Sequence, residues 1–120
     1  MGFLKRDQIF AADDLKHEDV EVPEWGGTVR VRALTAGERD QWESSMAGET
    51  KNGQAIKVED VRAKLIAFAA IDVETGERLF TLDDVTKLSK KSAAAMQRLW
   101  LVASRLSLVG AGDVDELGKN

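Results

Sequence analysis

The sequence predicts an α+β protein, mainly helical, in which an N-terminal β-hairpin packs on a small bundle of about four helices. The hairpin is indicated by residues 20–22 and 29–32, two runs in which apolar and charged residues alternate. A period of two places successive side chains on opposite faces of a strand. The helices are indicated by apolar residues that recur every three or four positions, most clearly in residues 58–71 and 90–108.

The N-terminal part is predicted to form a short helix or arm, followed by the hairpin. Residues 3–15 mix large apolar side chains with charges, and Asp7 can begin a helix there. Between the two strands, Pro23 cannot donate a hydrogen bond to a sheet. Gly26 and Gly27 can adopt the positive φ of a tight reversal, so a turn is predicted here.

A helix is predicted after the hairpin because Thr35 and Glu38 can form a capping box. In a capping box each side chain accepts a hydrogen bond from the other residue's backbone N–H. This helix is expected to run to about Ala47. Residues 48–57 contain glycines among mostly polar residues and predict a loop, after which residues 58–71 form the next helix.

The segment after that helix, residues 72–80, is predicted to turn around Gly76. A small second hairpin can form there. Thr81 or Asp83 is then expected to cap a short helix that ends near Leu88.

Ser89 is predicted to cap the last helix, residues 90–108, whose apolar stripe suits the central helix of the core. Gly110 is expected to stop this helix. The predicted organisation is a single domain over residues 1–112 and an acidic, flexible tail over residues 113–120.

Composition and charge exclude several classes of function. The chain has 120 residues, with 17 lysines and arginines against 21 aspartates and glutamates, no cysteine and one histidine. A disulfide framework and a zinc site built on cysteine or histidine are therefore excluded. No run approaches the roughly 20 apolar residues of a membrane span, and the charged N-terminus lacks the apolar core of a signal peptide. We expect a soluble, intracellular protein that does not contact a membrane.

Catalysis is not predicted. Adjacent carboxylates such as Glu59 and Asp60 diverge on a helix rather than converge on one substrate atom. His17 has no serine or cysteine nucleophile motif beside it, and the sequence contains no glycine-rich pattern that binds phosphate. We therefore expect no catalytic residue, no cofactor and no metal.

The three tryptophans are candidates for core packing or for contact with a partner. Trp100 is assigned to the core because it belongs to the apolar stripe of the last helix. Trp25 lies in a turn between charged strands, and both core packing and partner contact stay open for it. Trp42 lies in a helix with little other apolar surface, so it either fills the core or marks a second contact face.

A locally basic stretch contrasts with the net charge of −4. It contains five basic residues and no acidic one: Lys87, Lys90, Lys91, Arg98 and Arg105. The acidic balance of the whole chain opposes binding to phosphates, so this stretch is interpreted as a solvated helix face rather than a nucleic-acid site. A basic face can equally meet an acidic protein.

Several blocks occur in a characteristic order along the chain. Residues 20–32, with Pro-Glu-Trp-Gly-Gly at their centre, are followed by Leu-Thr-Ala-Gly-Glu-Arg-Asp at residues 34–40. The later blocks are residues 62–65, 72–80 and 91–99. In this order they resemble the tail assembly chaperones of long-tailed bacteriophages, and the resemblance covers roughly residues 9–117.

The resemblance implies a non-catalytic protein that binds the long tape measure protein in the host cytoplasm, keeps it soluble, and leaves as tail tube subunits polymerise around it. It implies absence from the mature virion. It also implies, as a hypothesis, a longer product made by a programmed frameshift, whose extension recruits the tail tube protein. Self-association is left open. The alternative from another class is a small structural virion subunit, such as a tail or head-tail joining protein.

The predicted partner-binding residues are Trp25, Gly26, Gly27, Trp42, Arg98 and Arg105. The family motif locates Trp25 and Gly26 by match and does not assign their role. Apolar contact through the hairpin turn is expected to drive binding, while surface charge keeps the complex soluble.

Overall fold

The computed structural model describes residues 2–51 and 58–109, with side chains described for residues 2–46 and 60–109. The elements in chain order are α1 (Arg6–Ala11), β1 (His17–Val22), β2 (Gly27–Arg32), α2 (Ala36–Lys51), α3 (Val58–Ala69), β3 (Ala70–Ile71), α4 (Val85–Leu88) and α5 (Ala93–Leu106). One-turn 3₁₀ helices lie at Pro23–Trp25 and Leu82–Asp84. The predicted α+β, mainly helical fold is confirmed.

The predicted hairpin forms the first two strands of a three-stranded antiparallel sheet with the order β1-β2-β3. Its register runs from His17 opposite Arg32 to Val22 opposite Gly27. β3 joins the other edge of β2, where Ile71 lies opposite Arg30. The helix predicted over residues 58–71 therefore ends two residues early, because its last two residues pair with β2 instead.

The second small hairpin, which the sequence only permitted, forms after β3. The backbone N–H of Asp72 donates to the carbonyl of Glu77 at 2.8 Å, and that of Leu79 donates to Ala70 at 3.0 Å. Gly76 has a φ of 75° in the turn, a conformation that glycine adopts without steric cost. This return of the chain supplies one more bridge, Ile71 to Arg78, at the edge of the sheet.

The start of α2 is as predicted and its end is not. The Thr35 hydroxyl accepts from the Glu38 N–H at 3.1 Å, and the Glu38 carboxylate accepts from the Thr35 N–H at 2.9 Å. The helix continues to Lys51, so the loop predicted over residues 48–57 is wrong at its start, and residues 52–57 lie outside the described residues. A glycine inside a helix costs only about 1 kcal/mol relative to alanine, and Gly48 does not end this helix.

Ser92, not Ser89, caps α5. The Ser92 hydroxyl accepts from the Ala95 N–H at 3.2 Å, whereas the N–H of Ser89 donates to the Val85 carbonyl and so belongs to the end of α4. α5 ends at Leu106, before the predicted stop at Gly110, which lies outside the described residues. The predicted tail, residues 113–120, and the domain limit at residue 112 also lie outside the described residues.

The core lies between the sheet, α2, α3 and α5. α3 is its most buried helix, since residues 63–69 are all buried, and it takes the central place that the sequence assigned to the last helix. The largest side chains that are almost fully buried are Trp42, Phe68, Leu65, Ile66 and Leu99. The hairpin contributes the inward-facing valines at positions 20, 22 and 31, as expected for strands with one buried face.

Candidate functional site

Trp25 forms one wall of an apolar groove that is open to solvent. The groove has a volume of about 540 Å³ and is lined by Trp25, Leu79, Phe80, Asp84, Lys87, Leu88 and Lys91. Trp25 itself is half-buried and packs against the hydrophobic core. Of the two roles that the sequence left open for this residue, the structure shows core packing. The indole also lines the groove, and its contact with a partner stays a prediction.

The turn that carries Trp25 owes its shape to Gly26. The Gly26 N–H donates to the Pro23 carbonyl at 3.1 Å, closing the 3₁₀ turn. Gly26 has a φ of 72°, which strains any residue with a Cβ. Gly27 then begins β2 opposite Val22. The two glycines thus shape the turn.

An ion pair holds the turn against α5. Arg98 donates from both terminal nitrogens to the two carboxylate oxygens of Glu24, at 2.9 and 3.1 Å. The hydrogen bonds from Arg98 lower the pKa of the Glu24 carboxyl below its ordinary value and, reciprocally, raise that of Arg98. This two-pronged geometry fixes orientation as well as distance. Arg98 is therefore a residue that positions Trp25's turn.

Arg105 makes the second ion pair between α5 and the hairpin, with Glu18 of β1. The two arginines are seven residues apart on α5, so they lie on one side of the helix. Two members of the basic stretch thus neutralise acidic residues of the same chain. The lysines at positions 87, 90 and 91 are exposed and carry the remaining positive charge of that stretch.

The rest of the groove is lined by the end of the second small hairpin, the chain that follows it and α4. Leu79 is 46% exposed and Phe80 is half-buried. Thr81 caps the next helical turn, where the Asp84 carboxylate accepts from the Thr81 N–H at 2.9 Å. This capping fixes the start of the segment that carries Lys87 and Leu88 along the groove.

Trp42 lies in the interior and not on a contact face. It is 1% exposed, its indole N–H donates to the Val61 carbonyl at 3.3 Å, and its ring centroid lies 6.5 Å from that of Trp100. Of the two roles that the sequence left open for Trp42, the structure shows that it fills the core. Trp100, assigned to the core, is half-buried and packs against it.

The groove could not be predicted as a unit from the sequence. Leu79, Phe80, Lys87 and Lys91 reach Trp25 only because β3 pairs with β2 and the chain then reverses. No spacing between nearby residues reports such a long-range contact. The available signal was compositional: an apolar pair follows a turn and precedes a basic stretch.

The described part of the chain offers little for other chemistry. Within it, no three or more metal-ligating side chains gather in one place. No helix there is both long and apolar enough to cross a membrane. The buried indole nitrogen of Trp25 has no acceptor among the described residues.

The fold and the groove together are those of a small α+β protein with a solvent-open apolar site of a size suited to protein side chains. The sequence profile of the phage tail assembly chaperone family matches residues 5–120. Because this match spans nearly the whole chain, the protein belongs to that family, as the ordered blocks of its sequence indicated.

A solved structure is similar to this chain, that of the bacteriophage HK97 tail assembly chaperone. The two share 20% sequence identity with a TM-score of 0.57, and the match covers 83% of this chain and 90% of the other. At this level of identity the likeness shows the fold. No curated protein sequence matches the chain.

Proposed function

We propose that this protein binds the tape measure protein through the groove beside Trp25, without catalysis, and keeps it soluble until tail tube subunits polymerise around it. The observation that carries the proposal is a solvent-open apolar groove in a member of the tail assembly chaperone family. Exposed concave apolar surface is the usual place for a protein to accept a partner's apolar side chains.

The physical basis is burial of apolar surface next to charge. Leu79 and Trp25 lose contact with water when an apolar side chain enters the groove, which is worth roughly 25 cal/mol for each Å² buried. A groove of about 540 Å³ holds only a few side chains. Each copy therefore binds weakly, and many copies along one long chain add their contacts. Exposed lysines beside the groove keep such a complex hydrated.

The place and timing of action belong to the same proposal. The protein acts in the host cytoplasm and is absent from the finished virion, and a longer frameshifted product links the complex to the tail tube protein. The family resemblance supports these points. A lysate from infected cells in which antibody to this chain detects a single product would contradict the frameshift.

Co-expression with the tape measure protein of the same phage tests the binding proposal. We expect the two to co-purify and the soluble share of the tape measure protein to rise. Leu79→Asp, a change at an exposed groove residue, is expected to abolish both effects. The matched control is Val73→Asp, because Val73 is 63% exposed on the same small hairpin and does not line the groove.

Two outcomes would contradict the proposal. Co-purification that survives Leu79→Asp at the parental level would remove the groove as the binding site. Failure of the parent protein to co-purify, together with its detection by mass spectrometry in purified particles, would favour the structural virion subunit instead.

A further inference from the structure

The chain carries an N-terminal arm with large exposed apolar side chains, one of which, Phe10, has the Arg6 guanidinium 4.9 Å from its ring centroid. Every described side chain from residue 2 to residue 14 is exposed. Within this arm, defined as residues 2–14, Ile9 is 52% exposed and Phe10 is 73% exposed. They lie on α1, a helix without a buried residue. Helices this short are marginal in water unless an apolar face is covered, so the arm has the composition of a segment that docks.

The groove beside Trp25 complements this arm in both polarity and charge. Its apolar walls match the side chains of Ile9 and Phe10. The two lysines at its rim, Lys87 and Lys91, form no ion pair among the described residues. Asp84 also lines the groove, and its carboxylate accepts from the Thr81 N–H. Two adjacent carboxylates follow the apolar pair in the arm, at positions 13 and 14, whereas the arm's two basic residues, at positions 5 and 6, precede that pair. An apolar pair followed by acidic residues is what an apolar groove with a basic rim accepts.

The arm of the same molecule starts at the wrong end of the domain to fill this groove. The arm joins the domain beside the C-terminal end of α5. The Lys16 carbonyl accepts from the Ala33 N–H at 2.9 Å, and the N–H of the next residue, Leu34, donates to the Ser107 hydroxyl at 3.0 Å. Lys91, in the groove, precedes the N-terminal end of α5. At 1.5 Å per residue, α5 separates the two by about 20 Å.

The linker between α1 and β1 is barely long enough to span that distance. From Ala11 to His17 the chain reaches at most about 20 Å when fully extended. The apolar pair of the same molecule would enter its own groove only with the linker stretched to its limit and the arm reversed along the hairpin. The arm of a second molecule meets no such restriction.

A second groove, near the point where the arm joins the domain, suits the arm less well. It has a volume of about 320 Å³, and its lining residues include the arm's own Asp14 but no lysine or arginine. The carboxylates of the arm thus find no opposite charge there.

We propose that the arm of one copy docks into the Trp25 groove of a second copy, with Ile9 and Phe10 against its apolar walls and Asp13 and Asp14 beside its lysines. Each chain offers one arm and one groove, so the contact links copies either reciprocally in a dimer or in series. The tape measure protein then displaces the arm, which keeps the groove covered until that protein is present. This displacement, unlike the docking itself, rests on the proposed function.

Sedimentation velocity on full-length chains tests the docking without the tape measure protein. The arm variant is Ile9→Asp with Phe10→Asp, and the groove variant is Leu79→Asp; all three positions are exposed, so folding is preserved, as circular dichroism checks. We expect the parent to associate and each variant alone to remain monomeric. In a mixture of the two variants, the groove variant still has an unchanged arm and the arm variant still has an unchanged groove. This arm and this groove can form one contact, so the mixture should yield a one-to-one heterodimer.

Several results would overturn the docking. A parent that stays monomeric up to millimolar concentration would do so, as would variants that associate like the parent or a mixture that contains only monomers. A fluorescein-labelled peptide of residues 3–15 gives a second measurement by anisotropy. It should bind the full-length arm variant, and Lys87→Glu with Lys91→Glu in that background should weaken binding about tenfold, with a shallower salt dependence. Equal affinity for both backgrounds would contradict the charge match.

The displacement has its own readout. The tape measure protein should compete with the labelled peptide for the arm variant. If peptide binding and heterodimer formation occur while the tape measure protein fails to compete, the docking stands and the proposed function fails at this groove. If the tape measure protein binds through Leu79 while the peptide does not bind, the proposed function stands and the arm docking fails.

Discussion

Replacement of Trp42 by alanine should destabilise the fold by about 4 kcal/mol. Trp42 is 1% exposed and packs against Trp100. A buried tryptophan removes about 150–250 Å² from water, worth roughly 4–6 kcal/mol at 25 cal/mol per Å². Alanine retains a small part of this, and measured costs of such truncations are about 3–5 kcal/mol. Trp42→Phe keeps most of the ring volume and loses the hydrogen bond to the Val61 carbonyl, so it should cost about 1–2 kcal/mol.

Urea unfolding followed by far-ultraviolet circular dichroism measures both variants, because the signal does not depend on the tryptophan removed. With a slope near 2 kcal/mol per molar urea, Trp42→Ala should lower the midpoint by about 2 M and Trp42→Phe by about 0.5–1 M. A midpoint for Trp42→Ala within about 0.2 M of the parent, a difference of about 0.4 kcal/mol and so within the range of a surface substitution, would refute the placement of this residue in the core.

Three further predictions concern the turn and the helix ends. The pKa of Glu24 is lowered by its hydrogen bonds with Arg98, so the stability that this pair contributes is present above about pH 5 and disappears as the pH falls through the lowered pKa. The stability difference between the parent and Glu24→Gln, measured by urea unfolding, should therefore shrink from pH 6 to pH 3, about the range in which a carboxylate titrates; a constant difference would argue against the pair. Gly26→Ala should cost about 1 kcal/mol from positive φ alone, since nothing lies within 4 Å of the added Cβ, and an unchanged thermal midpoint would contradict the turn. Ser92→Ala should cost about 1 kcal/mol and Ser89→Ala less than about 0.5 kcal/mol, an order that reverses if the sequence-based cap is right.

Local sequence signals predicted the elements that depend on local hydrogen bonds. The hairpin followed from alternation and from a turn that only Gly26 makes without strain, and the start of α2 followed from the capping box of Thr35 and Glu38. The start of α5 was missed because Ser89 and Ser92 both satisfy the local rule for a cap. The backbone N–H of Ser89 belongs to the last turn of α4, where it donates to the Val85 carbonyl. The local rule for a cap does not take the preceding helix into account.

The long-range parts of the fold and of the site could not be predicted this way. β3 is two residues long and carries no alternation of its own, so its pairing with β2 is decided by the tertiary fold. The groove could not be predicted for the same reason, because Leu79 and Phe80 come close to Trp25 only through that pairing. Arg98 was predicted to bind a partner, and that stays a prediction. Its contact with Glu24, which lies far away in sequence, and its role in holding the turn emerged only from the structure.

The central claim, that the groove beside Trp25 contacts the tape measure protein, is tested most directly by site-specific photo-crosslinking during co-expression. Leu79 and, as the matched control, Val73 are each replaced by p-benzoylphenylalanine, since both are exposed on the same small hairpin and only Leu79 lines the groove. The account predicts a crosslinked product with the tape measure protein from position 79 and little or none from position 73. Crosslinking from position 73 alone, or from neither position while the two proteins still co-purify, would contradict it.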